Sequence, residues 1–171
     1  MMKTHILNEI NEVLDKINDN AYKSIISYIQ KARRVFLVGS GRSGLVGRCF
    51  AMRLMHLGIP TYVVGETTCP SINKNDLLIV ISCSGSNVSI LEFAKIAKNK
   101  NAYILSITSK DTPLVSVSHY SVEIPNIKTI QFGNSLFEQV VFLFLEIFVE
   151  LYRKNKNIPF KEMITRHSDF T

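Results

Sequence analysis

The sequence predicts an α/β fold, a three-layer αβα sandwich around a five-stranded and mainly parallel sheet. Three observations lead to this class. Five short apolar runs rich in Val, Ile and Tyr have the composition of strands that are buried on both faces. Segments with helical periodicity separate most of these runs. This alternation places successive strands parallel to one another, through right-handed crossovers.

Residues 1–32 are predicted to form a helical lead-in before the first strand. Apolar side chains recur at helical spacing between His5 and Ala32, and the polar run Asn18–Asn20 interrupts the pattern. We therefore expect one or two helices in this part of the chain.

The sheet and its connecting helices are predicted to occupy the middle of the chain. The expected strands are Val35–Val38, Thr61–Val64, Leu77–Ile81, Tyr103–Ile107 and Tyr120–Ile124. The expected connecting helices are Ser43–Leu57 and Val88–Lys98, with a single short turn at Pro113–Val117. No internal repeat or interdomain linker interrupts this order.

A long apolar helix is predicted within the C-terminal helical region, residues 134–171. The segment Leu136–Tyr152 is the most apolar of the chain, but it carries Glu138, Glu146 and Glu150. A charged side chain costs about 3 kcal/mol at the centre of a bilayer. We therefore predict a helix of the core or of a subunit interface, and no membrane partner.

Size and charge limit the possible functions. A chain of 171 residues with 46% apolar residues is expected to form one domain, residues 1–171, and has no room for a second catalytic domain. The net charge of +6 comes from scattered basic residues and not from a basic stripe, so nucleic-acid binding is not predicted. A solvated basic surface or a small anionic ligand explains the charge equally well.

The cysteines indicate the redox environment. Cys49, Cys69 and Cys83 are odd in number and lack CxxC spacing, so neither a disulfide framework nor a metal site is predicted. No signal peptide opens the chain. We therefore expect a reducing, cytoplasmic location.

A glycine-rich loop follows the first predicted strand and opens the next helix. Residues Gly39–Gly44 match GxGxxG, and Glu66 follows the second strand, where a dinucleotide-binding fold would carry a ribose-binding acid. The motif alone is weak, and a dinucleotide-binding domain would need a second catalytic portion that this length does not supply. The loop nevertheless marks a ligand edge, because ligands bind beyond the carboxyl ends of parallel strands.

A second loop, in the stretch VISCSGSN (Val80–Asn87), follows the third predicted strand and is dense in hydroxyl groups. Ser82, Ser84 and Ser86, together with N–H groups at a helix start, would surround a phosphate dianion with donors. The alternative is that Ser86 or Asn87 only caps the following helix. Two such loops side by side are harder to explain by capping, so a phosphate site is predicted.

Glu138 and two histidines are the candidates for proton transfer. Glu138 follows Ser135 by three residues, the spacing of a capping box, and on this pattern alone capping is favoured over a role as general base. His56 lies two residues before Gly58 and has the position of a last-turn histidine, favoured by the helix dipole. His167 is either part of a frayed tail or a side chain that crosses to another subunit.

These residues lie in motifs that resemble those of the 6-phospho-3-hexuloisomerases, within the sugar isomerase (SIS) family. The matching motifs are GRSG (Gly41–Gly44), FAMRLMHLG (Phe50–Gly58), GETT (Gly65–Thr68) with Pro70, SLFEQ (Ser135–Gln139) and Arg166-His167. They follow one another in order over nearly the whole chain. The second and third motifs are far more specific than the glycine loop.

The resemblance implies a parallel five-stranded sheet, a phosphosugar ligand, and neither a metal nor another cofactor. It implies the isomerisation of 3-hexulose 6-phosphate to fructose 6-phosphate through a cis-enediolate. Carried over by position, the substrate-binding residues are Ser40, Gly41, Arg42, Ser43, Ser82, Ser84, Ser86 and Asn87. Glu138 would be the enediolate base. His167, supplied by a neighbouring chain, would assist ring opening or the second proton transfer, with His56 as a further candidate.

Partners and alternatives follow from the same resemblance. It implies a homotetramer, and a 3-hexulose-6-phosphate synthase that supplies the substrate by fixing formaldehyde onto ribulose 5-phosphate. The family's phosphate loop usually ends in Glu or Arg followed by Thr, where this chain has Ser86 and Asn87. Two alternatives therefore stay open: a phosphosugar-sensing module without catalysis, and an isomerase of another sugar phosphate.

Overall fold

Five parallel strands form the sheet at the centre of the molecule, and the computed structural model describes residues 1–169. The strands are β1 (Val35–Gly39), β2 (Thr61–Val63), β3 (Leu77–Ser82), β4 (Tyr103–Ser109) and β5 (Tyr120–Ile124). The helices are α1 (Met2–Asp15), α2 (Asn20–Lys31), α3 (Gly41–His56), α4 (Val88–Asn99), α5 (Pro113–Val117), α6 (Ser135–Asn155) and α7 (Phe160–Thr165). A 3-10 turn, Phe132–Asn134, precedes α6. The strand order in the sheet is β2-β1-β3-β4-β5.

Alternate residues of each strand face opposite helical layers. On one face, Val35 and Leu37 of β1 belong to the core shared with α1, α2, α3 and α6. On the other face, Phe36 and Val38 belong to the core shared with α4 and α5. Burial on both faces is the reason that the strands are continuous apolar runs instead of alternating patterns.

Helix α6 is the central helix of the first layer. Phe144 and Phe148 on its inner face are fully buried. Phe148 packs edge-on against Phe50 of α3 with ring centroids 5.6 Å apart, and Phe144 stacks on Tyr22 of α2 at 4.6 Å. These contacts set the rotation of α6 against α3 and α2. Of the two predicted alternatives, a core helix or a helix of a subunit interface, the burial of this inner face confirms the first. Among residues 1–169, every helix is too short or too polar to span a bilayer.

A buried carboxylate ties together the amino-terminal edge of the sheet. Asp76, directly before β3, accepts hydrogen bonds from Arg34 Nη2 (2.6 Å), Arg33 Nε (3.4 Å) and the backbone N–H of Asn73 (2.8 Å). Burial by itself would raise the pKa of Asp76, but the hydrogen bonds from Arg34, Asn73 and Arg33 outweigh it and lower the pKa. Because this edge is opposite to the carboxyl ends of the strands, we assign the cluster to stability.

The strand order changes direction at β1, and this creates a crevice. From β1 the chain crosses through α3 to β2 on one side, whereas β3 pairs with β1 on the other side. The connections that leave β1 and β3 lead to α3 and α4, which cover opposite faces of the sheet. Ligands bind at such a switch point in open parallel sheets.

The predicted elements agree closely with the observed ones. All five strands lie within two residues of their expected bounds, and the sheet is entirely parallel where a mainly parallel one was expected. The lead-in consists of two helices separated at residues 16–19, next to the expected break. The short turn Pro113–Val117 has the expected bounds.

Candidate active site

The two small-residue loops predicted from the sequence meet at the switch point. Gly39 at the end of β1 is paired in register with Ile81 of β3. An open cleft of about 270 Å³ lies beyond these strand ends, close to the lower end of the range for small-ligand pockets. It is lined by Ser40, Ser43, Ile81, Ser82, Cys83, Ser84, Asn87, Gly133, Asn134 and Glu138. The cleft thus combines residues from both loops with the start of α6.

The glycines of the first loop bring α3 close to the strand. A Cβ atom on Gly44 would lie 2.7 Å from the carbonyl oxygen of Gly39, and one on Gly39 would lie 2.9 Å from the backbone nitrogen of Gly44. Only glycine fits this close approach of helix and strand. Backbone packing therefore explains Gly39 and Gly44, whereas Gly41 has no close neighbour and a φ of 56°. Glu66, the ribose-binding candidate, forms an ion pair with Arg48 on α3.

The second loop is a compact turn held by its own side chains. The Ser82 hydroxyl accepts a hydrogen bond from the backbone N–H of Gly85 (3.2 Å), and the Ser86 hydroxyl lies 3.1 Å from that of Ser84. Gly85 has a φ of 56°, and a Cβ atom there would lie 2.3 Å from Oγ1 of Thr112. Hydrogen bonds within the loop and the close approach of Gly85 to Thr112 therefore give the loop its compact shape.

Asn87 links this loop to the start of α4. Its Oδ1 accepts a hydrogen bond from the backbone N–H of Ile90 (3.2 Å), so Asn87 is the N-cap, as one of the two sequence interpretations held. The same residue lines the cleft, so Asn87 both caps α4 and contributes to the cleft wall. The first-turn N–H groups of a helix attract anions. The serine hydroxyls and α4 together form an environment that suits a phosphate group.

Glu138 faces α3 and not the start of its own helix. Its Oε1 accepts a hydrogen bond from the Ser43 hydroxyl (3.3 Å), and its Oε2 accepts one from Arg42 Nε (3.2 Å). The N-cap of α6 is Asn134, and the Ser135 hydroxyl donates to the carbonyl oxygen of Phe132. The capping-box interpretation of Ser135 and Glu138 was therefore wrong.

Arg42 connects Glu138 with the 3-10 turn. Its Nη2 donates a short hydrogen bond to the carbonyl oxygen of Gly133, while its Nε contacts Glu138. Ser40 and Gly41 precede Arg42 at the start of α3, and Ser40 lines the cleft. The cleft is thus lined both by the Glu138 carboxylate, which hydrogen bonds hold in place, and by several small side chains that can donate hydrogen bonds.

The two candidate histidines lie elsewhere in the same chain. His56 is the last residue of α3 and Ser43 is its third, so about 20 Å of helix axis separates them. His56 is buried and its ring stacks on His167 with centroids 5.1 Å apart. Burial lowers the pKa of His56, and His167 and Arg53 lower it further. Gly58 has a φ of 83°, in agreement with the last-turn position of His56.

Four lining residues of the cleft were not predicted as site residues: Ile81, which ends the third predicted strand, Cys83, Gly133 and Asn134. Gly133 and Asn134 line it because both have a φ of 61°, which turns the chain sharply into α6. A Gly-Asn pair before a helical pattern is a turn signal and marks this position. Cys83 lines the cleft between two of the predicted serines, with Sγ 3.5 Å from the Ser109 hydroxyl.

Comparisons with known proteins agree with this fold and cleft. The model of the SIS domain matches residues 28–143. The curated 3-hexulose-6-phosphate isomerase of Methanocaldococcus jannaschii is 43% identical over 150 residues, which cover 86% of this chain and 83% of that protein. The 3-hexulose-6-phosphate isomerase of Mycobacterium gastri is 36% identical over 180 residues, which cover 96% of this chain and 90% of that protein.

A solved structure shares the complete architecture. It is the crystal structure of a Methanococcus jannaschii protein from which the molecular function of 3-hexulose-6-phosphate isomerase was inferred. The two chains superpose with a TM-score of 0.89 and 40% identity, over 99% of each. The family model and both sequence relatives cover well over half of the chain. The chain therefore belongs to the SIS-domain family.

Proposed function

We propose that this protein is a phosphosugar isomerase that converts 3-hexulose 6-phosphate to fructose 6-phosphate. The curated relatives with that name match most of the chain and most of their own length. The single observation that carries the proposal is that the Glu138 carboxylate and the serine loop open on the same cleft. One end of a sugar phosphate can therefore be bound while its carbon chain lies beside a base.

The phosphate group of the substrate is assigned to the second loop. Hydroxyl groups of Ser82 and Ser84, which line the cleft, supply donors together with the first-turn N–H groups of α4, and the loop carries no fixed positive charge. Ser86, also predicted to bind the phosphate, is not among the lining residues, and its hydroxyl donates to that of Ser84. Asn87 keeps its side-chain NH2 as a further donor, because its Oδ1 is the atom used for capping. This arrangement can bind the phosphate dianion and still allow the sugar phosphate to leave.

Glu138 is assigned as the base of the isomerisation. In this reaction the carboxylate takes the proton from C2 of the 3-ketose, a cis-enediolate forms across C2 and C3, and the same proton is returned at C3. The proton on the C2 hydroxyl moves to the C3 oxygen, so that the ketone ends at C2. Binding the phosphate at the far end of the chain orients these carbons beside Glu138.

Arg42 and Ser43 hold the base in place. Each donates to a different oxygen of Glu138, which fixes the carboxylate in one orientation for proton abstraction. Ser40 and Gly41 start the same helix, where N–H groups are suited to stabilise the developing enediolate oxygens. The four adjacent residues Ser40–Ser43, of which Ser40 is the N-cap of α3, therefore contribute to the orientation of the sugar.

His56 and His167 are assigned to the site of a neighbouring subunit. About 20 Å of α3 separates this pair from the cleft of its own chain. Apolar side chains on the outer faces of α3 and α6 are exposed in one chain and fit a homo-oligomer, for which we propose a tetramer. They are Leu45, Met52, Met55, Phe142, Leu143 and Ile147. A cytoplasmic location and a functional link to the synthase complete the proposal.

The test is a coupled assay of the purified protein against a panel of sugar phosphates. Conversion of 3-hexulose 6-phosphate in preference to the other compounds supports the proposal. Binding of fructose 6-phosphate without conversion of any compound would instead identify a sensing module. Turnover of a different ketose or aldose phosphate would assign the enzyme to that substrate.

A further inference from the structure

Glu9 is a buried carboxylate that has no part in the proposed chemistry. It lies on α1 and is only 6% exposed. Its oxygens accept hydrogen bonds from the Thr129 hydroxyl (2.8 Å), the backbone N–H of Ile130 (3.0 Å) and Gln131 Nε2 (3.0 Å). His5 Nε2 on the same helix lies 3.4 Å away. Three of these four partners come from one segment that lies 120 to 122 residues further along the chain.

That segment, residues 129–134, forms part of the cleft wall and is called here the rim segment. Its last two residues, Gly133 and Asn134, line the cleft. Its middle is held weakly by packing, because Ile130 is 56% and Phe132 is 91% exposed. Its attachments are therefore the hydrogen bonds to Glu9 at one end and two contacts at the other, that of Gly133 with Arg42 and that of the Phe132 carbonyl with the Ser135 hydroxyl.

The contact of Gly133 with Arg42 connects the rim segment to the candidate base, Glu138. Arg42 has a half-exposed side chain and divides its donors between the Gly133 carbonyl and the Glu138 carboxylate. A long, exposed arginine has many rotamers, and each fixed acceptor removes some of them. The position of Gly133 therefore decides how steadily Arg42 is held against Glu138.

We propose that Glu9 is a positioning residue for the isomerase site: it fixes the rim segment, and the rim segment orients Arg42 against Glu138. The inference rests on the proposed function, because it assigns a purpose to the orientation of Glu138. A carboxylate suits this role since its two oxygens together accept three hydrogen bonds, and bonds to an ionised acceptor are stronger than neutral ones. The bond from Gln131 lowers the pKa of Glu9, although burial opposes it, so the group stays ionised.

The experiment compares Glu9→Ala and Glu9→Gln with the matched control Glu12→Gln. Glu12 lies on the same helix, is exposed, and pairs only at the surface with Lys16. We expect kcat to fall by about tenfold to hundredfold in Glu9→Ala, because small misplacements of catalytic groups have effects of this size. Glu9→Gln, which keeps one acceptor oxygen, is expected to lose less. The control is expected to keep the kcat of the wild-type protein.

KM separates positioning from general destabilisation. The phosphate loop is held by its own serines and by Thr112, and not by the rim segment, so KM is expected to change by less than about threefold. All assays are run well below the melting temperature of each variant. A variant with a lower melting temperature but an unchanged kcat would overturn the proposal, because Glu9 would then only anchor α1.

Two further measurements cover the remaining outcomes. If Glu9→Ala does not fold, Gln131→Ala removes one donor and leaves α1 intact, and an unchanged kcat in that variant overturns the proposal. If the wild-type protein isomerises no sugar phosphate, the proposed function fails by itself. Hydrogen exchange at residues 130–134 then tests whether Glu9 fixes the rim segment. Faster exchange in Glu9→Ala than in the wild-type protein supports this role of Glu9, and equal exchange overturns it.

Discussion

The carboxylate of Glu138 lies 3.3 Å from the hydroxyl of Ser43, although the two residues are 95 positions apart in the chain. The contact exists because α6 packs on α3 through Phe148 and Phe50 further along both helices. That packing turns the first turn of α6 toward the cleft. The candidate base is thus placed by hydrophobic contacts more than two turns away.

Replacing Glu138 with Gln is expected to abolish most of the isomerase activity. The amide keeps the shape of the side chain but cannot take the proton, and loss of a general base lowers kcat by about 10²–10⁴-fold. Binding of fructose 6-phosphate, measured by calorimetry, should be nearly unchanged because the phosphate loop is intact. Glu150→Gln, on the same helix and paired with Arg153, is the control. Full turnover in Glu138→Gln would remove the residue from this role.

Replacing Ser84 with Ala is expected to weaken phosphosugar binding. A hydrogen bond to a charged group contributes about 1.5–3 kcal/mol, which corresponds to a loss of about tenfold to hundredfold in affinity. The measurement is the dissociation constant for fructose 6-phosphate, with inorganic phosphate as a competing ligand. Ser116→Ala serves as the control, because that serine is exposed on α5. Equal affinities in the two variants would argue against a phosphate at this loop.

Mixing two inactive variants is expected to restore activity if subunits share sites. Glu138→Gln and His167→Ala damage different halves of such a site. In randomly assembled pairs, one composite site in each mixed pair contains neither change, so about a quarter of the wild-type activity should return. The variants are unfolded together, refolded and assayed, and each variant treated alone is the control. No recovery in a demonstrably mixed oligomer would exclude His167 as a residue supplied by the neighbouring subunit.

Replacing Asp76 with Asn is expected to destabilise the fold without changing the chemistry of the cleft. Removing one partner of a buried ion pair costs about 3 kcal/mol, at the low end of the usual range, because Arg34 keeps some contact with solvent. For a chain of this length the melting temperature should fall by about 10 °C at neutral pH. Asp15→Asn, on the exposed end of α1, is the control.

The pH dependence of that stability has a definite sign. The pKa of Asp76 is lower in the folded chain than its unfolded value of about 3.9. Its contribution is therefore fully present above the unfolded pKa and is lost as the pH falls through the folded pKa. The difference in melting temperature between wild type and Asp76→Asn should shrink in this acidic range. A difference that grows as the pH falls would contradict the assignment.

Local patterns in the sequence were sufficient for the fold and for half of the candidate site. Strand and helix bounds follow from the period of apolar residues, which depends only on neighbours along the chain. The small residues of Gly39–Gly44 and Ser82–Asn87 could be placed at one edge because parallel strands end on the same side of a sheet. These features required no knowledge of which helices pack together.

Only the tertiary structure decided where the charged groups act. The spacing of Ser135 and Glu138 favoured capping, because a sequence pattern can indicate only hydrogen bonds between residues that are close in the chain. The packing of α6 on α3 instead directs Glu138 to Ser43 and Arg42. The link from Glu9 to residues 129–131 joins parts of the chain that share no pattern. The sequence alone therefore determined the fold and the edge of the sheet at which a ligand binds. Contacts between distant residues determined the orientation of the base, because the direction of its side chain depends on how whole helices pack.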